Sequence, residues 1–232
     1  MKKTGKGVRE CPFIGDSSIA EALKMCHRAG FKPTYMPYIV DRRIAAPRND
    51  PLWTEMYDTL SMHVIGETKQ GNEVDIYVHV PHFLSSPENI ERERNDYGNL
   101  ELPKKELIRL LNTQDDKTIF VRDHKAVLKF IEKNEEEIDI PVYSLERAIE
   151  HPHLIPALGG ESRTRQYLSK LRKLGGKNIC IWYDSEKASD YPTFLSIGPI
   201  DQSDKYSSSI EDHTHCFAYG DDPFDVEILG IK

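Results

Sequence analysis

The strictest pattern in the chain runs from Glu73 to Val80, where apolar and polar residues alternate without a break. Val74, Ile76, Val78 and Val80 share one side; Glu73, Asp75, Tyr77 and His79 share the other. A period of two belongs to a β-strand with one face on a core. The second face is therefore wet or lines a site. Gly71-Asn72 supplies turn residues just upstream, and Leu60–Ile65 reads as the first arm, so residues 60–81 are expected to form a hairpin. A helical period appears earlier. Ile19, Ala22, Leu23 and Cys26 fall on one stripe, Asp16 or Ser17 can cap it, and Gly30 can stop it. Between Pro33 and Pro51 the chain is rich in Pro and Arg with no clean period, which predicts irregular structure. Pro103 opens a helix carrying Leu107, Leu110 and Leu111.

From residue 117 the elements alternate. Thr118–Val121 reads as a strand, Asp123 caps a helix bearing Val127, Leu128 and Ile131, Ile138–Tyr143 is a strand with Pro141 marking an edge or bulge, and Ser144 caps a short helix. Gly159-Gly160 then breaks the chain before a basic helix over 161–174 that buries Tyr167, Leu168, Leu171 and Leu174. Gly175-Gly176 ends it, and Ile179–Tyr183 is an unbroken apolar run. Phe194–Ile197 is a further strand, and Phe224, Val226 and Ile228 alternate with Asp225 and Glu227 in a last one. Strand, helix, strand, helix, strand predicts an α/β fold: a mainly parallel or mixed sheet flanked by helices, with an N-terminal helix and β-hairpin. Residues 1–15 read as a flexible N-terminal arm and 16–232 as a single α/β domain; the polar, turn-rich stretch 85–103 is the boundary if there are two lobes.

Composition narrows the function classes. The 232 residues carry a formal charge of -7 and a mean hydropathy of -0.56. A net-negative chain is not built to neutralise phosphates, which disfavours nucleic acid as a partner. No apolar run reaches the length of a membrane span, and the basic N-terminus has no apolar segment behind it, so no membrane association and a cytoplasmic location are expected. Cys11, Cys26, Cys180 and Cys216 form no Cys-x-x-Cys pair and read as free thiols. The sequence sets neither an oligomeric state nor a cofactor.

Three constellations carry possible chemistry. The first is Gly159, Gly160, Ser162, Arg163 and Arg165. A glycine turn opening a basic helix offers backbone N–H groups and the positive dipole end to an anion, although Glu161 opposes one and the pattern is neither a Walker loop nor Gly-x-Gly-x-x-Gly. The second is the set of strand ends: Arg122-Asp123-His124, Ser144 and Asp184-Ser185. If the strands are parallel these share one rim, where α/β sheets bind ligands, and Asp184 with Asp123 would orient a ligand or exchange a proton. Asp123 and Ser144 also serve as helix caps. The third is the histidines, nine in all, six of them in close pairs: His79 with His82, His151 with His153, His213 with His215. His79, His82, His213, His215 and Cys216 are ligand types for zinc and related metals, without a matched zinc spacing. Arg42, Arg43 and Arg48 lie among Tyr35, Tyr38 and Trp53, a mixture that suits nucleotides but equally describes a packed loop.

The leading functional expectation is binding, with or without turnover, of a small anionic ligand such as a phosphate ester or carboxylate. The alternatives are a non-catalytic module that binds protein or nucleic acid, and a metal-dependent hydrolase built on the histidine pairs.

Overall fold

The computed structural model describes residues 2–3, 8–16, 18–95, 99–134, 142–183, 191–199, 208–213 and 225–232. The first part forms strands β1 (Lys2–Lys3) and β2 (Arg9–Asp16), helix α1 (Ile19–Arg28), strand β3 (Lys32–Pro33), helix α2 (Met36–Ala45) and the hairpin of β4 (Tyr57–Glu67) and β5 (Glu73–Val78). Helices α3 (Pro87–Arg92) and α4 (Lys104–Asn112), strand β6 (Ile119–Asp123), helix α5 (His124–Asn134) and strand β7 (Val142–Ser144) follow. The short helices α6 (Leu145–Ala148) and α7 (Leu154–Ala157) lead to α8 (Glu161–Lys173), and β8 (Asn178–Ile181), β9 (Thr193–Ile197), β10 (Ser209–His213) and β11 (Asp225–Ile231) complete the chain.

The described strands join one mixed sheet, whose main path runs β1-β2-β11-β4-β9-β10-β8-β7, with β3 beside β11 and β5 and β6 branching from β4. β4 is its longest strand and the point where it forks: β11 lies beside its start at Asp58, and β5 beside its end from Met62 to Glu67. β6 then pairs with β5. The hairpin expected over 60–81 is present, its turn made by Gly71 at φ +79°. Within residues 1–15, which composition placed in a loose arm, positions 10–15 pair with β11 residue by residue.

Of the two forms expected, a mainly parallel sheet or a mixed one, the sheet is mixed. β6 runs antiparallel to β5, and β7 antiparallel to β8; the parallel pairs among the described residues are β8 with β10 and β4 with β11. Alternation of strands and helices along a chain records local periodicity only, and carries no information about which strand each one pairs with. Pro141 lies outside the described residues.

Apolar residues cover both faces of the sheet. On one side Leu60, Met62, Val64, Val74, Ile76 and Val78 pack with Leu23 of α1, Ile90 of α3 and Leu107 of α4. On the other, Tyr57, Tyr77, Leu195 and Ile197 pack with Ile39 of α2 and Tyr167 and Leu171 of α8. The helix α2 replaces the irregular segment expected over 33–51. Pro37 stands in its first turn, and its buried positions are Met36, Ile39, Val40 and Arg43, a helical stripe whose last member is an arginine. Arg43 is fully buried. Its guanidinium donates to the carbonyls of Glu55, Ile197 and Gly198 and lies 5.5 Å from the Trp53 ring centre. A basic residue in a hydrophobic stripe hides the period from the sequence, and here it ties α2 to the sheet. Among the described residues no helix is long and apolar enough to cross a membrane.

Candidate functional site

Beyond the exposed Glu73, the polar face of β5 is closed off from solvent. Asp75, Tyr77 and His79 are buried, as are Thr59, Ser61 and His63 on the same face of β4. A buried carboxylate without partners costs several kcal/mol, and Asp75 has three. His63 Nε2 donates to Oδ1 at 2.7 Å, His124 Nδ1 to Oδ2 at 3.1 Å, and the Tyr183 hydroxyl to Oδ1 at 2.7 Å. Burial alone would raise the Asp75 pKa; the bonds from His124, His63 and Tyr183 outweigh it and hold the carboxyl below the usual carboxylate range. An ionised Asp75 can only accept, which places protons on His63 Nε2 and His124 Nδ1.

The network continues inward. The His63 ring stacks on Tyr77 at 4.6 Å, the Tyr77 hydroxyl lies 2.8 Å from His153 Nδ1, and the His153 backbone N–H donates to His151 Nδ1. At the far end of the same face His79 joins four elements. Met36 N–H donates to Ser61 Oγ, Ser61 Oγ lies 2.8 Å from His79 Nδ1, and His79 Nε2 donates to the Pro156 carbonyl at 2.6 Å. The carbonyl fixes the tautomer: Nε2 carries the proton and Nδ1 accepts from the serine. Burial pushes the His79 and His82 pKa values down to about 4, and that of His151 well below its ordinary value.

This arrangement resembles a catalytic relay in its residue types but not in its wiring. In a nucleophile–histidine–carboxylate triad the imidazole bridges its partners through two different nitrogens. Here His124 meets Asp75 and Tyr183 through the same atom, Nδ1, at 3.1 and 2.9 Å. The same atom cannot both hold the carboxylate and take a phenol proton, so the geometry clamps Tyr183 in place. His63, Asp75 and His124 are also metal-ligand types, yet they bond to one another directly. Among the described residues no group of three or more His, Cys, Asp or Glu could hold a metal ion.

The topology gathers several strand ends here. β8 and β10 are parallel neighbours, so Tyr183 and His213 leave the sheet on one side, where Thr193 begins the antiparallel β9 opposite His63. His124, at the end of β6, joins them through Asp75. Of the strand-end positions expected to share a rim, His124 after β6 reaches the end of β8 at Tyr183, while Asp184 and Ser185 lie outside the described residues. Ser144 does not share that rim, because β7 runs antiparallel to β8 and Ser144 lies opposite Asn178 at its start. Ser144 caps α6 by accepting from Arg147 N–H, and Asp123 accepts from Lys125 N–H at the start of α5. Asp184, His215 and Cys216 lie outside the described residues, and His213 is placed by its backbone.

The glycine turn lies elsewhere, where α7 and α8 meet α2. Gly159 has φ +81°, and a side chain there would come within 2.6 Å of Pro37 Cγ. Arg163 Nε donates to Asp41 of α2 at 2.8 Å, Arg165 pairs with Glu161 on the exposed face, and Gln166 donates to Ser162. Gly160 accepts at its carbonyl from Thr164. His79 and His82 face separate partners, His82 donating to the Leu60 carbonyl at 2.9 Å.

Sequence reasoning missed His63 and Asp75 as a linked pair. The available signal was the kind of polar residue involved. Solvated strand faces carry Lys and Glu, whereas this hairpin carries Thr, Ser, His, Asp and Tyr, which are groups that bond to one another when buried.

No family model and no curated protein matches this chain. One solved structure does, described as "Accommodation of massive sequence variation in Nanoarchaeota by the C-type lectin fold". It is 29% identical, the match covers 100% of both chains, and the TM-score is 0.80. The mixed sheet and its helices are therefore those of the C-type lectin fold, an α/β scaffold.

Proposed function

We propose that the chain is a non-catalytic recognition module, which uses the C-type lectin fold to present the rim beyond β8 and β10 to a partner. One observation carries this reading. At the end of β8, Trp182 is 41% exposed while its neighbour Tyr183 is anchored by Asp75 and His124. An aromatic side chain held out on a rigid strand end contributes large contact area at small entropic cost. Both oxygens of the Asp75 carboxylate beneath it are engaged by His63, His124 and Tyr183, which fixes the strand end from below. The similar protein from Nanoarchaeota supports the same reading, since its fold is said to accommodate massive sequence variation. A scaffold that anchors its strand ends from within lets rim residues change without loss of the fold.

The test is a binding screen against peptide and glycan arrays, followed by Trp182→Ala. The expected result is a ligand whose affinity falls at least about tenfold in the variant, with an unchanged circular dichroism melt. Hits that are all indifferent to Trp182→Ala, or a turnover activity abolished by Tyr183→Phe, would refute it.

A further inference from the structure

The opposite end of the polar face of β5 opens on a cleft that the rim does not reach. His79 lies on its wall, four residues along from Asp75, or roughly 14 Å at strand spacing. The cavity volume is about 620 Å³, within the range of small-molecule sites. Pro33, Tyr35, Pro37, Tyr38, Pro81 and Ile231 give it an apolar lining.

Its polar groups decide what it can take. Tyr38 donates its hydroxyl to Glu10 at 2.7 Å, and Glu10 is paired with Arg42. Asp41 is paired with Arg163. The Tyr35 and Ser85 hydroxyls lie 3.2 Å apart and bond to each other, and both nitrogens of His79 are occupied. Every carboxylate at the cleft thus already has an arginine, and most of its hydroxyls already have partners. Lys32, exposed on the wall, has no carboxylate partner among the described residues. His27, at the end of α1, also lines the cleft; there the last carbonyls accept from the N–H groups of Ala29, Gly30 and Phe31. Thr34 keeps a buried hydroxyl without a partner among the described residues.

Among the described residues a cationic ligand would find no free carboxylate here, and a polyol would find few free donors or acceptors. We propose that this cleft binds a small carboxylate with an apolar, preferably aromatic, body: the ring between the tyrosines and prolines, the carboxylate at Lys32. The site is separate from the rim, so the two proposals stand or fall independently.

The experiment uses phenylacetate and indole-3-acetate as probes, with their uncharged amides as controls, titrated by calorimetry and ligand-observed NMR. Binding of the acids in the millimolar range or tighter, at least about tenfold stronger than that of the amides, supports the proposal. Lys32→Gln, at an exposed position, should remove that preference, while Trp182→Ala leaves it intact. Failure of both acids to bind overturns the proposal. So does equal binding of acids and amides, or binding that Lys32→Gln does not weaken.

Discussion

Acid should destabilise this protein well above the range where its carboxylates titrate. Burial holds the pKa values of His79 and His82 at about 4 in the folded chain against 6.5 as the ordinary value. A group with a depressed folded pKa takes up its proton first in the unfolded chain. Its stabilising contribution is complete above pH 6.5 and is lost as pH falls toward 4. At about pH 5 the linkage integral gives a loss of about 2 kcal/mol per histidine, or about 4 kcal/mol for the two. His151, shifted in the same direction, adds to it. Against a typical total of about 5–15 kcal/mol this is a large fraction. Asp75 contributes in a separate window below its ordinary value of 3.8, because its pKa is lowered, not raised. The assay is urea unfolding followed by circular dichroism at about pH 7.5 and about pH 5. His82→Gln should shrink the difference between the two pH values by about 2 kcal/mol, whatever it does to stability at neutral pH. If stability is the same at both pH values, or the loss is undiminished in His82→Gln and His79→Gln, the neutral buried histidines are not its source.

Three further outcomes follow from the packing. Asp75→Asn puts an N–H₂ group against a histidine or tyrosine donor and should cost about 3–5 kcal/mol, read as a lower urea midpoint. Arg43→Met takes the guanidinium donor from the carbonyls of Glu55, Ile197 and Gly198, of which Gly198 keeps the Ser208 hydroxyl, and a loss of about 3 kcal/mol is expected by the same measurement. Gly230→Ala places a methyl group 2.6 Å from Phe13 Cε2 and 2.9 Å from Cys26 Sγ, and should cost about 1–3 kcal/mol by overpacking; a thermal melt unchanged from the parent would contradict it.

What the sequence disclosed was what neighbouring residues encode. The alternation of 73–80, the turn at Gly71 and the stripe Ile19, Ala22, Leu23, Cys26 all became the expected elements, because each is set within one or two turns of chain. Strand partners were not legible. β6 and β7 look identical in pattern to parallel strands, and only the tertiary fold assigns each an antiparallel neighbour. Helix α2 was hidden for another reason: a core position filled by Arg43 reads as solvent until its carbonyl partners, two of them more than 150 residues away, are known. The Asp75 cluster draws on positions 63, 75, 124 and 183, and no local window contains more than two of them.

β11 lies between β2 and β4, inside the sheet, with Gly230 opposite Cys11. The partners in that pairing are roughly two hundred residues apart in sequence, the kind of contact that slows folding most. A ribosome makes β2 and β4 long before β11, so both wait with unpaired edges while the rest of the chain is synthesised. The growing polypeptide is therefore exposed to strand-to-strand aggregation until β11 emerges, and a chain truncated before Asp225 is left with a sheet split in two rather than a smaller working protein.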